Sequence, residues 1–193
     1  MLTASSPFAS GTAASTTGAL SEPFSIPSGE TWTMELVVNG GAPEEVSIVG
    51  TGSMTASDIA AQINAQTDHV DASVGSGGEL VLTSDKSGLG STIAINPGEA
   101  GLDLKAALGL ADFVQGTETP ATGATDLNDL TTNLADYAPG ELISVSGTDA
   151  DGTAVGGLFE YGVDGTTVDD LVTFLDGQFA GATAAFNAST GQI

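Results

Sequence analysis

At 193 residues with 40% hydrophobic side chains, the chain can build one large or two small domains, yet only 5% of it is aromatic, so any core must be made from Ala, Val, Leu and Ile. Its 25 acidic residues face two basic ones, Lys86 and Lys105, for a formal charge of −23. That balance excludes nucleic acid and anionic membrane surfaces as partners, because both need basic contacts, and it leaves a solvated, self-repelling coat.

Residues 1–24 are rich in Ser, Thr, Ala and Gly, with Pro7 and Pro23, and read as an extended lead-in or a partly ordered arm outside the core. A first module is expected over 25–113. Trp32, Met34, Leu36 and Val38 alternate as the inward face of a strand, Asn39-Gly40-Gly41 signals a turn with positive φ, and Val46 and Ile48 form the returning strand. Thr55 and Asp58 stand in a capping-box relation at the start of a helix whose Ile59 and Ile63 share one face. A second hairpin follows: Val70, Ala72 and Val74, the turn Gly75-Ser76-Gly77-Gly78, then Leu80 and Leu82. Thr92–Ile95 predicts a further strand, and Leu102, Leu104, Leu108 and Leu110 a short helical stretch.

Residues 114–127, with Pro120, read as a linker, and 128–193 as a second module that Asp126–Leu130 introduces as a helical turn. Leu142–Val145 and Gly157–Tyr161 predict a hairpin joined by a turn rich in Gly and Asp. Thr167 and Asp170 cap a helix bearing Leu171 and Leu175, and Ala184 and Phe186 resume a strand pattern. The order β-β-α-β-β thus recurs. It predicts an α+β, β-rich fold of two repeated modules, each a small antiparallel sheet with one packed helix. The second copy stops at Ile193 with half a hairpin still to run, as a domain cut from a longer protein would.

No catalytic, cofactor-binding or metal-ligating residue is predicted. Without Cys there is no disulfide, thiol catalysis or thiolate metal site. His69, the single histidine, has no second His or Cys to share a zinc ion. Asp149-Ala150-Asp151-Gly152 is the nearest approach to a calcium loop. Such a loop needs Gly at its sixth position and a bidentate Glu at its twelfth, whereas here Gly152 falls fourth and Glu160 stands twelfth inside a predicted strand. A hairpin turn explains these residues better. Ser76 lies in a turn between strands rather than in a nucleophile elbow, and the sequence around Lys86 lacks the glycine spacing of a phosphate loop. Glu44-Glu45 and Asp169-Asp170 carry little information in so acidic a chain, and Trp32 reads as core because it shares the register of Met34 and Leu36. No apolar run is long enough to span a membrane, and the N-terminus lacks the pattern of a signal peptide.

Ser28–Gly40, then Thr55–Ala65 with its Ile63-Asn64 pair, Val70–Val74 and Gly78–Ser84 together resemble the hook IN repeat of bacterial flagellins, filament caps and hook-associated proteins. Leu108-Gly109-Leu110 is similar to its trailing segment. The second unit, through Asp126–Leu130, Gly140–Thr153 and Thr166–Leu171, resembles insert domains of flagellar hook proteins, although Leu175-Asp176 stands where the pair would be Ile-Asn. These resemblances imply a non-enzymatic, extracellular structural domain on the outside of a hook or related axial filament. They imply neighbouring subunits as partners and a monomer when isolated, since no heptad run marks either end. A phage tail module or a surface adhesin is the other reading.

Overall fold

Alternating apolar residues make most of the elements in the computed structural model, which describes residues 7–133, 135–149, 151–179, 181 and 183–193. They fall into two units, a larger one at Thr12–Thr117 and a smaller one made from the chain up to Gly11 together with Glu118–Ile193.

The described residues form two four-stranded antiparallel sheets. One has the order β10-β1-β7-β6, from β1 (Ala9–Ser21), β6 (Val70–Val74), β7 (Glu79–Ser87) and β10 (Thr117–Pro120). The other is β4-β3-β8-β9, from β3 (Thr31–Val38), β4 (Glu44–Val49), β8 (Thr92–Pro97) and β9 (Phe113–Gln115). Two short strands, β2 (Phe24–Ile26) and β5 (Gly52–Met54), pair with each other. The expected alternation holds in register: Met34, Leu36 and Val38 are buried with Val46, Ile48, Ile93 and Ile95, and Ala72 and Val70 with Leu80 and Leu82. All belong to one apolar cluster that helix α1 (Ala56–Asn64) joins through Ile59 and Ile63, and helix α2 (Leu104–Leu108) through Leu104 and Leu108. Each fully buried Val, Leu, Ile or Met side chain in it contributes about 1.5–3 kcal/mol. No helix among the described residues is long and apolar enough to cross a membrane.

Two expectations need correction here. The two hairpins flanking α1 do not share one sheet: β3–β4 lies in one and β6–β7 in the other. Period-two patterning fixes which side chains face inward but not which sheet a strand joins. The second correction concerns the lead-in. Residues 1–6 lie outside the described residues, but Ala9–Ser21 is a strand paired with β7, and its Ala14 is fully buried. Small side chains hid this strand because the site demands them: a Cβ on Gly18 would lie 2.5 Å from the Leu108 carbonyl oxygen.

In the smaller unit, β11 (Leu142–Thr148) and β12 (Ala154–Glu160) form a hairpin in full register. Helix α3 (Val168–Gln178) packs on it, with the Phe159 and Phe174 rings edge to face at 5.6 Å. A 3₁₀ turn at Leu127–Asp129, capped by Asp126, confirms the helical turn expected there. The core is Ala121, Leu127, Leu130, Phe159, Tyr161, Val168 and Val172, so α3 turns Val168 and Val172 inward while Leu171 packs at the margin. Among the described residues, the closing hairpin of a second β-β-α-β-β module is not found. Residues 183–186 carry no strand, Ala182 lies outside the described residues, and a single bridge joins Asn187 to Gln192. What recurs is β-β-α.

Candidate functional site

The distinctive chemistry of the larger unit sits on α1. Its start is built as the sequence predicts: the Thr55 hydroxyl accepts from the Asp58 N–H, and the Asp58 carboxylate accepts from the Thr55 N–H at 3.0 Å. Donation to that carboxylate by the Thr55 N–H first, and then by the Thr55 hydroxyl at 2.7 Å, holds the Asp58 carboxyl below its ordinary range. The other end carries Gln62 and Asn64, with Gln66 just beyond the helix, around the fully buried Ile63. Each of the three reaches the edge of a sheet.

Asn64 accepts from the Ala72 N–H at 2.7 Å and donates to the Ala72 C=O at 2.9 Å. It thereby satisfies the outward backbone groups of Ala72 on β6, the edge strand of its sheet. On the other side Gln66 accepts from the Ser47 N–H at 3.0 Å and donates to the Ser47 C=O at 2.8 Å, while Gln62 accepts from the Val49 N–H at 3.0 Å. Ser47 and Val49 belong to β4, the edge of the second sheet. A primary amide offers the same donor and acceptor as a peptide group, so these side chains stand in for missing neighbouring strands. Open edges invite pairing with other chains, and α1 closes two of them. Gln62 and Gln66 escape sequence reasoning; the available signal is three amides spaced by two around a buried Ile.

A second polar node lies at the β3–β4 turn. Asn39, with φ 53°, accepts from the Ser84 hydroxyl at 2.9 Å and the Thr92 N–H at 3.1 Å, and donates to Asp85 at 2.6 Å. Asp85 also faces His69 Nδ1 at 3.2 Å, so the histidine sits beside a carboxylate on an exposed surface. Asn39 and His69, with Lys86 and Glu44, line a cavity of about 160 Å³.

The remaining residues singled out in the sequence stand apart. Asp149 and Gly152 form the hairpin turn between β11 and β12, with Gly152 at φ 87° and its N–H donating to the Asp149 C=O; Ala150 lies outside the described residues. Asp151 accepts from the Thr153 N–H, which lowers its pKa. Ser76 is in the turn before β7, and Asp170 is spent in the second capping box, with Thr167. Lys105 pairs with Asp112. Trp32 packs against the core but is only partly buried, its indole N–H donating to Glu30 at 2.9 Å, and it lines an open groove of about 650 Å³ with Phe24, Pro23 and Leu20. Among the described residues, no three His, Asp or Glu side chains are grouped to hold a metal ion.

Side-chain amides thus close two of the sheet edges, and the capping residues Thr55, Asp58, Thr167 and Asp170 are engaged with one another. Residues 35–86 match the family model of the flagellin hook IN motif. The chain carries that motif, which supports a place in a flagellin-type axial protein family. The match runs from within β3 to the end region of β7 and includes every edge-closing amide on α1. No curated protein matches the chain.

Proposed function

We propose that this chain is a non-catalytic, surface-exposed domain of a bacterial flagellar hook protein or a related axial filament protein. It stands outside the cell and contributes to the filament surface and to contacts between neighbouring subunits. The observation that carries the reading is the coincidence of the hook IN match with the amides on and just after α1 that close two of the sheet edges. Rigid modules with closed edges can be held side by side in a helical array without fusing their sheets. The smaller unit, with its capped helix on a hairpin, is the hook-type insert in this reading, and the isolated chain is a monomer at ordinary concentrations because every copy carries the same −23 charge. Antibodies raised against the purified chain, used for immunogold labelling of the source cells, test the assignment. Gold along the hook or filament is expected; labelling confined to the cell body or absent would sink it.

A further inference from the structure

Asn39-Gly40 is the one Asn-Gly pair in the chain, and it forms the centre of the turn that follows β3. Asn39 has φ 53° and Gly40 φ 70°, and the Gly41 N–H closes the turn on the Val38 C=O at 2.8 Å. Asn-Gly suits such a turn because both central residues need positive φ. The pair is also chemically reactive. Asn is a thermolabile residue, and a glycine nitrogen with no side chain beside it is well placed to attack the preceding amide carbon.

The fold treats the two reacting groups differently. Among the described residues no acceptor takes the Gly40 N–H, Gly40 is exposed, and nothing lies within 4 Å of the place a Cβ would occupy on it. The nucleophile is open. The Asn39 amide, by contrast, is held at both ends: its oxygen accepts from the Ser84 hydroxyl at 2.9 Å and the Thr92 N–H at 3.1 Å, and its nitrogen donates to Asp85 at 2.6 Å. Ser84 and Asp85 lie on β7 and Thr92 on β8, so the anchors belong to strands of both sheets. Swinging the amide back onto its own backbone, to meet the Gly40 nitrogen, breaks these bonds.

We propose that Asn39 is a site of spontaneous deamidation whose rate is set by these three bonds. The Gly40 nitrogen forms a bond to Asn39 Cγ, the Cγ–Nδ2 bond breaks, and Nδ2 leaves as ammonia with the proton given up by the Gly40 nitrogen. Water then opens the five-membered imide at either carbonyl, leaving aspartate or isoaspartate at position 39. Three hydrogen bonds of ordinary strength hold the reactive arrangement down about 100-fold relative to an open chain. The change runs one way. The product has no amide donor, sets a carboxylate against Asp85 and, as isoaspartate, adds a methylene to the main chain of a tight turn. Each event therefore releases the tie between this turn and strands β7 and β8, and the converted fraction rises with the age of the protein.

Peptide mass mapping of the chain aged in mildly alkaline buffer tests this, since conversion replaces an amide NH2 by OH at position 39, and an isoaspartate methyltransferase marks the isomer. The guanidinium-unfolded chain is expected to convert about 100-fold faster than the folded one. Ser84→Ala and Asp85→Ala each remove one bond and should speed conversion of the folded chain about fivefold. Thr55→Ala weakens the start of α1 without touching the turn; it should leave the rate unchanged, which separates local opening of the turn from unfolding of the whole unit. The comparison of folded with unfolded wild type stands even where a variant fails to fold. Equal rates in the two wild-type states, or no conversion at position 39 in guanidinium, overturn the proposal. So does slower conversion in folded Ser84→Ala, because the hydroxyl would then be polarising the amide rather than restraining it. A Thr55→Ala chain accelerated as much as Ser84→Ala would overturn the assignment of control to the three bonds.

Discussion

The side-chain amide of Asn64 takes both backbone groups of Ala72, accepting from the N–H and donating to the C=O. Only an amide of this length can do both, and that gives the Ile63-Asn64 pair a physical reading: Ile63 anchors α1 in the core while Asn64 closes β6. The smaller unit provides a natural contrast. Asp176 stands at the matching place on α3, and having no donor it only accepts, from the Ala184 N–H at 2.8 Å, with no strand beyond it among the described residues. Asn64→Asp keeps the shape but leaves the Ala72 carbonyl without its partner, which should cost about 1–3 kcal/mol. A urea midpoint equal to that of the wild type would show that the amide does not hold the edge.

The two helix starts are matched in design, and each should answer to one substitution. Thr55→Ala and Thr167→Ala each remove the hydroxyl that accepts from the third helical N–H. Each should lower stability by about 1 kcal/mol, and the effects should add, since the helices lie in different units with no shared partner. Thermal melts of the single and double variants check this. An effect on α1 with none on α3 would mean that the second box is ornamental.

These boxes were legible in the sequence because Thr and Asp three residues apart carry the whole interaction locally. Hairpin turns were legible for the same reason, as Asn39 and Gly40 at positive φ show. The partition of hairpins between two sheets was not, since it depends on pairings such as Val38 with Ile93 across a long separation. Strand β1 was missed because its Ser, Thr, Ala and Gly residues lack apolar alternation, while close approach to α2 at Gly18 requires them small. Asn64 could be recognised as a signature, but its partner Ala72 is visible only in three dimensions. Leu171 and Leu175 drew attention by size, yet the narrower Val168 and Val172 fill the space under α3.

Acid should loosen both helices. The Asp58 and Asp170 carboxyls sit below their ordinary range because Thr55 and Thr167 donate hydrogen bonds to the charged forms. A folded-state pKa below the unfolded one means that the stabilisation is complete above the unfolded value, about 4. It is lost as pH falls through the lowered folded values. Asp58→Asn and Asp170→Asn should therefore flatten the acid limb of the stability profile while lowering stability at neutral pH. An acid limb unchanged in the double variant would assign the loss to other carboxylates.

Calcium gives a further check on the acidic loops. Asp149 and Asp151 are committed to a hairpin turn, and Asp126 is engaged by Asn128 and Tyr161. The melting curve should be the same with millimolar calcium and with chelator. An ion bound only to the folded state at about 100 times its dissociation constant would add about 2.7 kcal/mol, a shift of several degrees that no melt could hide. Such a shift would overturn the reading of these loops as turns.

Asn39 offers the sharpest electrostatic test. Its carbonyl oxygen serves Ser84 and Thr92 and its amide nitrogen serves Asp85, so one side chain ties the β3–β4 turn to strands of both sheets. Asn39→Asp preserves the size and the tolerance of positive φ, but it turns the donor facing Asp85 into a second carboxylate. At neutral pH the lost hydrogen bond and the like-charge contact should together cost about 1–3 kcal/mol. The sign of the pH dependence then separates charge from shape: protonation of the introduced carboxyl in acid restores a donor toward Asp85, so the penalty should shrink there. Asn39→Ala, which lacks both the bonds and the charge, should show a penalty that stays level with pH. If the two variants track one another from neutral pH into acid, Asp85 is not the group that Asn39 holds in place.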